Sequence, residues 1–375
     1  MLPQFSEVPR TTEFGFSFRL HCFRLAQHGE GFFFRQMIFV RRFALLLIVS
    51  TSFLIPSESS AAKARKSSAA KDTATYKGAV IMDAATGNVL FEDHEGDPSP
   101  PASMTKLMTF LVLHEKLKSG ALSLQTPITV TAADAGIGGT QVWLKEKEVF
   151  PVEELIYAMM IQSANDAAYA LARTAGGSVE AFVELMNAKA REIGMSQTTF
   201  RTPHGLPPSS RRIAEGDLST PHDFALLCRE LLLRTDVLTY SSIKTRNFGE
   251  GVRDEHVVMN NHNHLLGKVA GVDGLKTGFT NGAGFCLSAT AERNGKRIIV
   301  VIMGCPDRKL RDIKVAEFLE RGFAALPAGS AAFRPVGTSP VVRASVPEPS
   351  PVLPAPIAPA DEAPMIKFQI PTTKK

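Results

Sequence analysis

One stretch constrains the fold more than any other: Pro100-Pro101-Ala102-Ser103-Met104-Thr105-Lys106-Leu107-Met108-Thr109-Phe110-Leu111-Val112-Leu113. The two prolines end whatever precedes them. Pro101 is suited to open a helix, because the N–H it lacks would be unpaired in a first turn. Met104, Leu107, Met108 and Leu111 then form one apolar stripe at helical spacing. The opposite stripe should be polar, yet it holds Phe110, Leu113 and Leu117 alongside Ser103 and Lys106. A helix apolar nearly all round is a buried one, so the chain has to wrap around it. Ser103 and Lys106, three apart, share one face. A lysine set among Met, Leu and Phe loses hydration, which lowers its pKa. A neutral amine there can take the proton of the serine hydroxyl, and the helix N-terminus favours the alkoxide that develops. The bland reading is a surface serine and a snorkelling lysine. The same spacing recurs at Ser60/Lys63, Ser68/Lys71 and Ser241/Lys244, so spacing alone does not decide.

The 375 residues, 44% hydrophobic, suffice for one large domain or two modest ones. The net charge of +5 is spread out, which argues against nucleic acid as a partner. Residues 1–36 carry eight phenylalanines without periodicity. Arg41-Arg42, the 13-residue apolar run Phe43 to Ile55 and the small residues near Ala62 describe a secretory signal over residues 37–62. The run is short for a transmembrane helix. The expected start is therefore Met37, with residues 1–36 an upstream extension, and the mature protein is expected outside the cytoplasmic membrane. Residues 63–75 form a small, charged linker, and an ordered domain is expected over 76–326.

Within it, Gly78–Asp83 and Asn88–Glu92 around Ala85-Thr86-Gly87 read as a hairpin, and Ile128–Thr131 as a short strand. Helices are expected at Val152–Ile161, Asn165–Ala175, Ser178–Ile193 and from the Ser219/Thr220 cap to Leu233. Strand patterns follow at Leu275–Thr280, Phe285–Arg293 and Lys296–Met303, with Asn294-Gly295 as a type I′ turn, and Asp307–Phe323 reads as a closing helix. Strands at both ends with helices between suggest an α+β fold: an antiparallel sheet covered by the first and last helices, with a helical insertion. Residues 327–375 are rich in proline and alanine and are expected to form a disordered tail. Of the four cysteines, Cys228, Cys286 and Cys305 follow the signal. With Asn294-Gly295 as the turn, Cys286 faces Met303 and Gly284 faces Cys305, which makes the two cysteines diagonal neighbours on one sheet face. Diagonal neighbours are too far apart to bridge easily, so buried free thiols are expected. No cluster has metal-ligand spacing, and no metal or cofactor is called for.

Two further stretches bear on Ser103 and Lys106. Ser163-Ala164-Asn165 lies between two helices, and Lys276-Thr277-Gly278 lies on a strand; each pattern occurs once in the chain. A strand carrying Thr-Gly beside a nucleophile can offer a backbone N–H to an oxyanion, and hydroxyl and ammonium groups to a carboxylate. The order Ser-x-x-Lys, Ser-x-Asn, Lys-Thr-Gly behind an export signal resembles the D-alanyl-D-alanine carboxypeptidases, the low-molecular-mass penicillin-binding proteins, over roughly Tyr76 to Leu326. Asp166-Ala167, His204-Gly205-Leu206, Asn261 to Leu266 and Gly271 to Thr280 support the match.

The resemblance implies a penicillin-binding-protein/β-lactamase-like transpeptidase fold with an all-helical subdomain. It implies Ser103 as the acylated nucleophile, Lys106 as its base, and Ser163 and Asn165 as proton relay and amide holder. Lys276, Thr277 and Gly278 would bind the terminal carboxylate, and the N–H groups of Ser103 and Phe279 would form the oxyanion hole. Peptidoglycan stem peptides would be substrates and β-lactams trapping inhibitors. Some relatives carry an arginine where His262 stands, so the carboxylate site is expected to lack one permanent cation, and a His262 imidazolium formed in the complex is expected to supply it. The tail shows no counterpart of the relatives' extra C-terminal domain or anchoring helix, so at most peripheral membrane contact is expected. A class A β-lactamase shares this logic, but no Glu-x-x-Leu-Asn lies between the second and third motifs. A DD-endopeptidase and a non-catalytic peptidoglycan- or β-lactam-binding module remain open alternatives.

Overall fold

The computed structural model describes residues 75–336. The extension at 1–36, the signal at 37–62, most of the linker and the tail from residue 337 lie outside the described residues.

The hairpin β1 (Gly78–Asp83) and β2 (Val89–Asp93) opens the domain. A single 3₁₀ turn, Ala102–Thr105, leads directly into α1 (Lys106–Lys118). Every residue of α1 from Lys106 to His114 is buried, as the two apolar stripes require. Next come β3 (Pro127–Thr129), α2 (Ala132–Ala135), β4 (Val149–Pro151) and α3 (Val152–Tyr157), which runs into a π turn at Ala158–Gln162. Then follow α4 (Asn165–Gly176), α5 (Val179–Glu192), α6 (Pro221–Arg234) and α7 (Leu238–Ser241). Side chains of Ser178 and Thr220 cap α5 and α6 by accepting N–H groups in their first turns. A ribbon of β5 (Thr245–Phe248) and β6 (Val257–Asn260) precedes β7 (Val272–Thr280), β8 (Gly284–Arg293), β9 (Lys296–Cys305) and α8 (Arg308–Ala325), capped by Asp307.

The main sheet is five-stranded in the order β2-β1-β9-β8-β7, antiparallel throughout. Its pleat sends alternate residues to two cores. Val80, Met82, Ile299 and Val301 face α1 and the helical insertion, while Ile81, Ile298, Val300 and Ile302 meet Val315, Phe318 and Leu319 of α8. The ribbons β3-β4 and β5-β6 sit within the expected helical insertion; their strands are too short to show a periodicity.

Two expectations change. Asn294 and Gly295 both adopt positive φ, as a type I′ turn requires, and Arg293 pairs with Lys296. However, the register shifts between Phe285 and Leu287, so Cys305 faces Phe285 rather than Gly284. Cys286 and Cys305 therefore face opposite cores as buried free thiols. A one-residue bulge exchanges the sheet faces, which turn-based register counting does not anticipate. The tail reading also starts too early. The Phe333 N–H donates to Gly295 O at 2.8 Å and the Val336 N–H to Leu233 O at 2.7 Å, so residues 327–336 lie along the domain. Phe333 packs on the core beneath the guanidinium of Arg297, an apolar anchor that the surrounding prolines mask in composition.

Candidate active site

The site is built where the edge strand β7 meets the 3₁₀ turn. Gly278 allows the approach: a Cβ there would lie 2.4 Å from Pro101 O. Gly205 plays the same part on the other side, with φ +83 and only 2.0 Å from its would-be Cβ to Ala102 O. The turn carrying Ser103 is thus clamped between two backbones that admit no side chain.

In a 3₁₀ turn, side chains three apart eclipse. This brings Lys106 Nζ to 3.0 Å from Ser103 Oγ. The amine also reaches Asn165 Oδ1 at 2.6 Å and the carbonyl of His204 at 2.8 Å. An amide oxygen and a carbonyl can only accept, whereas a hydroxyl can also donate. A neutral amine has two N–H donors and one lone pair, so this set of partners suits it and points the lone pair at the Ser103 hydroxyl. Lys106 is fully buried, and among the described residues no carboxylate lies within ion-pair distance of it. Burial first, then the charge of Lys276, press its pKa well below the ordinary lysine value, while Asp217 and Asp166 pull the other way.

Ser163 closes the π turn in the left-handed region, at φ 65° and ψ 31°, so the helix stops abruptly and its side chain faces the cleft. A non-glycine residue held there is strained, and π turns recur at functional sites. Asn165, at the start of α4, donates through Nδ2 to Gly138 O and through its backbone to Thr140 O. Asp166 accepts from the N–H groups of Val142 and Leu144. Burial raises the pKa of Asp166 above the usual carboxylate range. Asn165 and Asp166 together pin the loop that brings Thr140 to the cleft wall.

A cleft of about 270 Å³ opens over Ser103, with Ser163, Thr277, Gly278, Phe279 and His262 in its lining. The Phe279 ring is half exposed and stacks on Phe285 with centroids 4.2 Å apart. Lys276 is buried beneath, its Nζ 3.2 Å from Thr277 O, and burial first, then Arg311, lower its pKa to about 7. All nine residues singled out from sequence are therefore brought together around one cleft.

His262 is presented there because its neighbours are tied down. Asn261 donates to Ser241 O and Ile243 O, and Asn263 donates to Gly274 O. In the free protein burial, then Lys276, lower its pKa to about 4, so any imidazolium has to be formed by the substrate. The cleft is not short of permanent cations, because Arg308 and Arg311 at the start of α8 line it as well. Arg311 is buried, pairs with Asp312 at 2.6 Å and reaches Cys286 O at 3.5 Å. Sequence reading missed these arginines and the His204 carbonyl. The arginines carry a faint signal, i and i+3 just after the Asp307 cap; a backbone carbonyl carries none.

A family model described as D-alanyl-D-alanine carboxypeptidase matches residues 64–307. The D-alanyl-D-alanine carboxypeptidase DacF of Bacillus subtilis is 34% identical over 248 residues, 66% of this chain and 62% of its own. DacC of Escherichia coli is 36% identical over 252 residues, 65% of this chain and 60% of its own. The chain thus spans about three fifths of the length of these relatives. Among solved structures, the D-alanyl-D-alanine carboxypeptidase DacD from Francisella tularensis superposes with a TM-score of 0.62 at 30% identity, covering 66% of this chain and 70% of that one. Penicillin-binding protein D2 from Listeria monocytogenes, in its ampicillin-bound form, gives 0.59 at 31% identity, covering 66% of this chain and 97% of that one. The antiparallel sheet with its surrounding helices is the fold of this group, and the chain belongs to the D-alanyl-D-alanine carboxypeptidase family of serine peptidases.

Proposed function

We propose that the protein is a serine D-Ala-D-Ala carboxypeptidase that removes the terminal D-alanine from peptidoglycan stem pentapeptides through an acyl-enzyme on Ser103. The observation that carries this reading is the buried Lys106 amine, without a carboxylate partner and 3.0 Å from Ser103 Oγ. Ser103 Oγ attacks the carbonyl between the two D-alanines as Lys106 Nζ takes its proton, and Asn165 Oδ1 and His204 O hold the amine in place. The N–H groups of Ser103 and Phe279 stabilise the oxyanion. The C–N bond then breaks, and the leaving amine takes a proton relayed through Ser163 and Lys106. Water, activated by the same amine, hydrolyses the ester and frees Ser103. The substrate's terminal carboxylate lies at Thr277 in the field of Lys276, Arg308 and Arg311.

β-Lactams enter the same acylation step, as the ampicillin-bound relative suggests by analogy. The substrate class lies outside the cytoplasmic membrane, in keeping with the signal read at residues 37–62. The test is product analysis with a stem pentapeptide and a cross-linked dimer. Release of D-alanine from the pentapeptide, with the dimer left intact, is expected. Cleavage of the dimer alone would assign an endopeptidase. Stable penicillin acylation with neither product would leave a binding module, and rapid penicillin turnover would mark a β-lactamase.

A further inference from the structure

A second cavity, of about 560 Å³, adjoins the cleft without sharing a lining residue with it. Its wall contains Ala102, Leu206, Pro208 and Ile213; Thr280 lies at the strand end and Arg211 at the rim. Ala102 immediately precedes Ser103, and Thr280 follows Lys276-Thr277-Gly278-Phe279 on β7, so the cavity continues the site along the strand.

The direction of continuation follows from the sheet. β7 is an edge strand, and a peptide laid antiparallel on it runs from Thr280 towards Lys276. With its terminal carboxylate at Thr277 and its scissile carbonyl against the Phe279 N–H, the residue before the two D-alanines arrives one strand step beyond Phe279, roughly 3.4 Å, level with Thr280. That residue's side arm is the part of the substrate that meets the second cavity.

Two charged residues line the cavity, Asp217 and Arg211, and only Arg211 is exposed. Asp217 lines it but is buried, and its carboxylate accepts from the backbone N–H groups of Arg201 and Thr202 and the hydroxyls of Thr105 and Thr202. Arg212 is paired with Glu215 at 3.0 Å. Arg211, which its turn at φ 58° lifts to the exposed rim, has no carboxylate partner among the described residues. The cavity therefore offers an apolar wall long enough for an aliphatic arm and one unpaired cation at its mouth.

We infer that this cavity receives the side arm of the stem-peptide residue preceding D-Ala-D-Ala, and that Arg211 favours an arm ending in a carboxylate over one ending in an ammonium. The inference rests on the carboxypeptidase reading above. It is tested on the full chain with acetyl-X-D-Ala-D-Ala peptides in which X is lysine with a free, acetylated or succinylated Nε, so that only the terminal charge changes sign. The expected order of kcat/KM for D-alanine release is succinyl, then acetyl, then free amine. The outer two should differ about fivefold, the order of magnitude of an exposed attraction exchanged for a repulsion. Arg211→Gln brings that ratio to about one, Arg211→Glu inverts it and Arg211→Lys keeps it, each variant being checked for native thermal unfolding. Added salt shrinks the wild-type ratio. A ratio unchanged across the three variants, or a wild-type preference for the free amine, overturns the inference and leaves the carboxypeptidase reading intact. Absence of D-alanine release from all three peptides overturns both.

Discussion

The domain buries cations in two places on opposite terms. Arg297 is buried and countered by two carboxylates: it makes paired 2.8 Å contacts to the two carboxylate oxygens of Asp273 and a 2.6 Å contact to Glu292. Burial works to lower its pKa, but Asp273 and Glu292 hold it above the ordinary arginine value. Lys106 and Lys276 are equally buried, have no carboxylate at contact distance among the described residues, and are both pressed down. A buried charge held by counter-ions stabilises a chain path. A buried amine denied them becomes a base or a titrating ligand at neutral pH. The contrast separates architecture from chemistry within one sheet, because Arg297 and Lys276 stand on β9 and β7 of the same five strands.

The comparison breaks most directly at Ser103. Ser103→Ala should abolish covalent labelling by penicillin, and mass spectrometry should place the wild-type adduct on Ser103. An adduct on Ser163 or Ser241 would move the chemistry elsewhere. Lys106→Met should slow acylation by about 10²–10⁴, the usual range for a lost proton acceptor. Its melting temperature should change little, because Asn165 Oδ1 and His204 O lose a donor while no carboxylate loses a partner and Met carries no penalty for being held neutral. Arg297→Met should do the reverse, leaving acylation in place while exposing Asp273 to an unpaired environment. The expected cost is about 1–3 kcal/mol, or roughly 2–4 °C per kcal/mol for a domain of this size. A larger thermal loss for Lys106→Met than for Arg297→Met would erase the distinction.

Lys276 gives a smaller, pH-dependent effect. It titrates at about 7 in the free protein, and a substrate carboxylate beside it favours the charged form. Binding above that pH therefore takes up a proton. KM should be flat below pH 7 and should rise by up to tenfold per unit above it, until the pKa of the complex is reached. Lys276→Arg, permanently charged, should flatten the rise. The smallest effect is expected at His262. With its pKa at about 4 it is already neutral through this range, so His262→Gln should leave the slope of KM against pH unchanged. A flattened slope in His262→Gln would return the proton to the imidazole.

Much of the fold is legible because its signals are local. The apolar stripes around Lys106, the Ser178 and Thr220 caps and the Asn294-Gly295 turn each draw on neighbours within a few residues, and each stands where the sequence places it. The three motifs are legible for the same reason, since each is a short pattern in a matching element. The cysteine register was not: a bulge near Gly304 is a backbone event without a side-chain pattern to announce it. The packing of Phe333 was hidden likewise, one aromatic among prolines whose partner carbonyl belongs to a distant turn.

The sequence by itself determined the hydrophobic helix that must be buried, the serine and lysine eclipsed at its start, and the family. These follow from residue type and spacing, which survive without coordinates. Only the tertiary structure decided the electrostatics of the site. It brings the start of α8 to the cleft, supplying Arg308 and Arg311 where His262 is neutral, and it turns the His204 carbonyl onto Lys106. Burial and charge proximity are sums over neighbours far apart in the chain, and a sequence read along one dimension does not contain those distances.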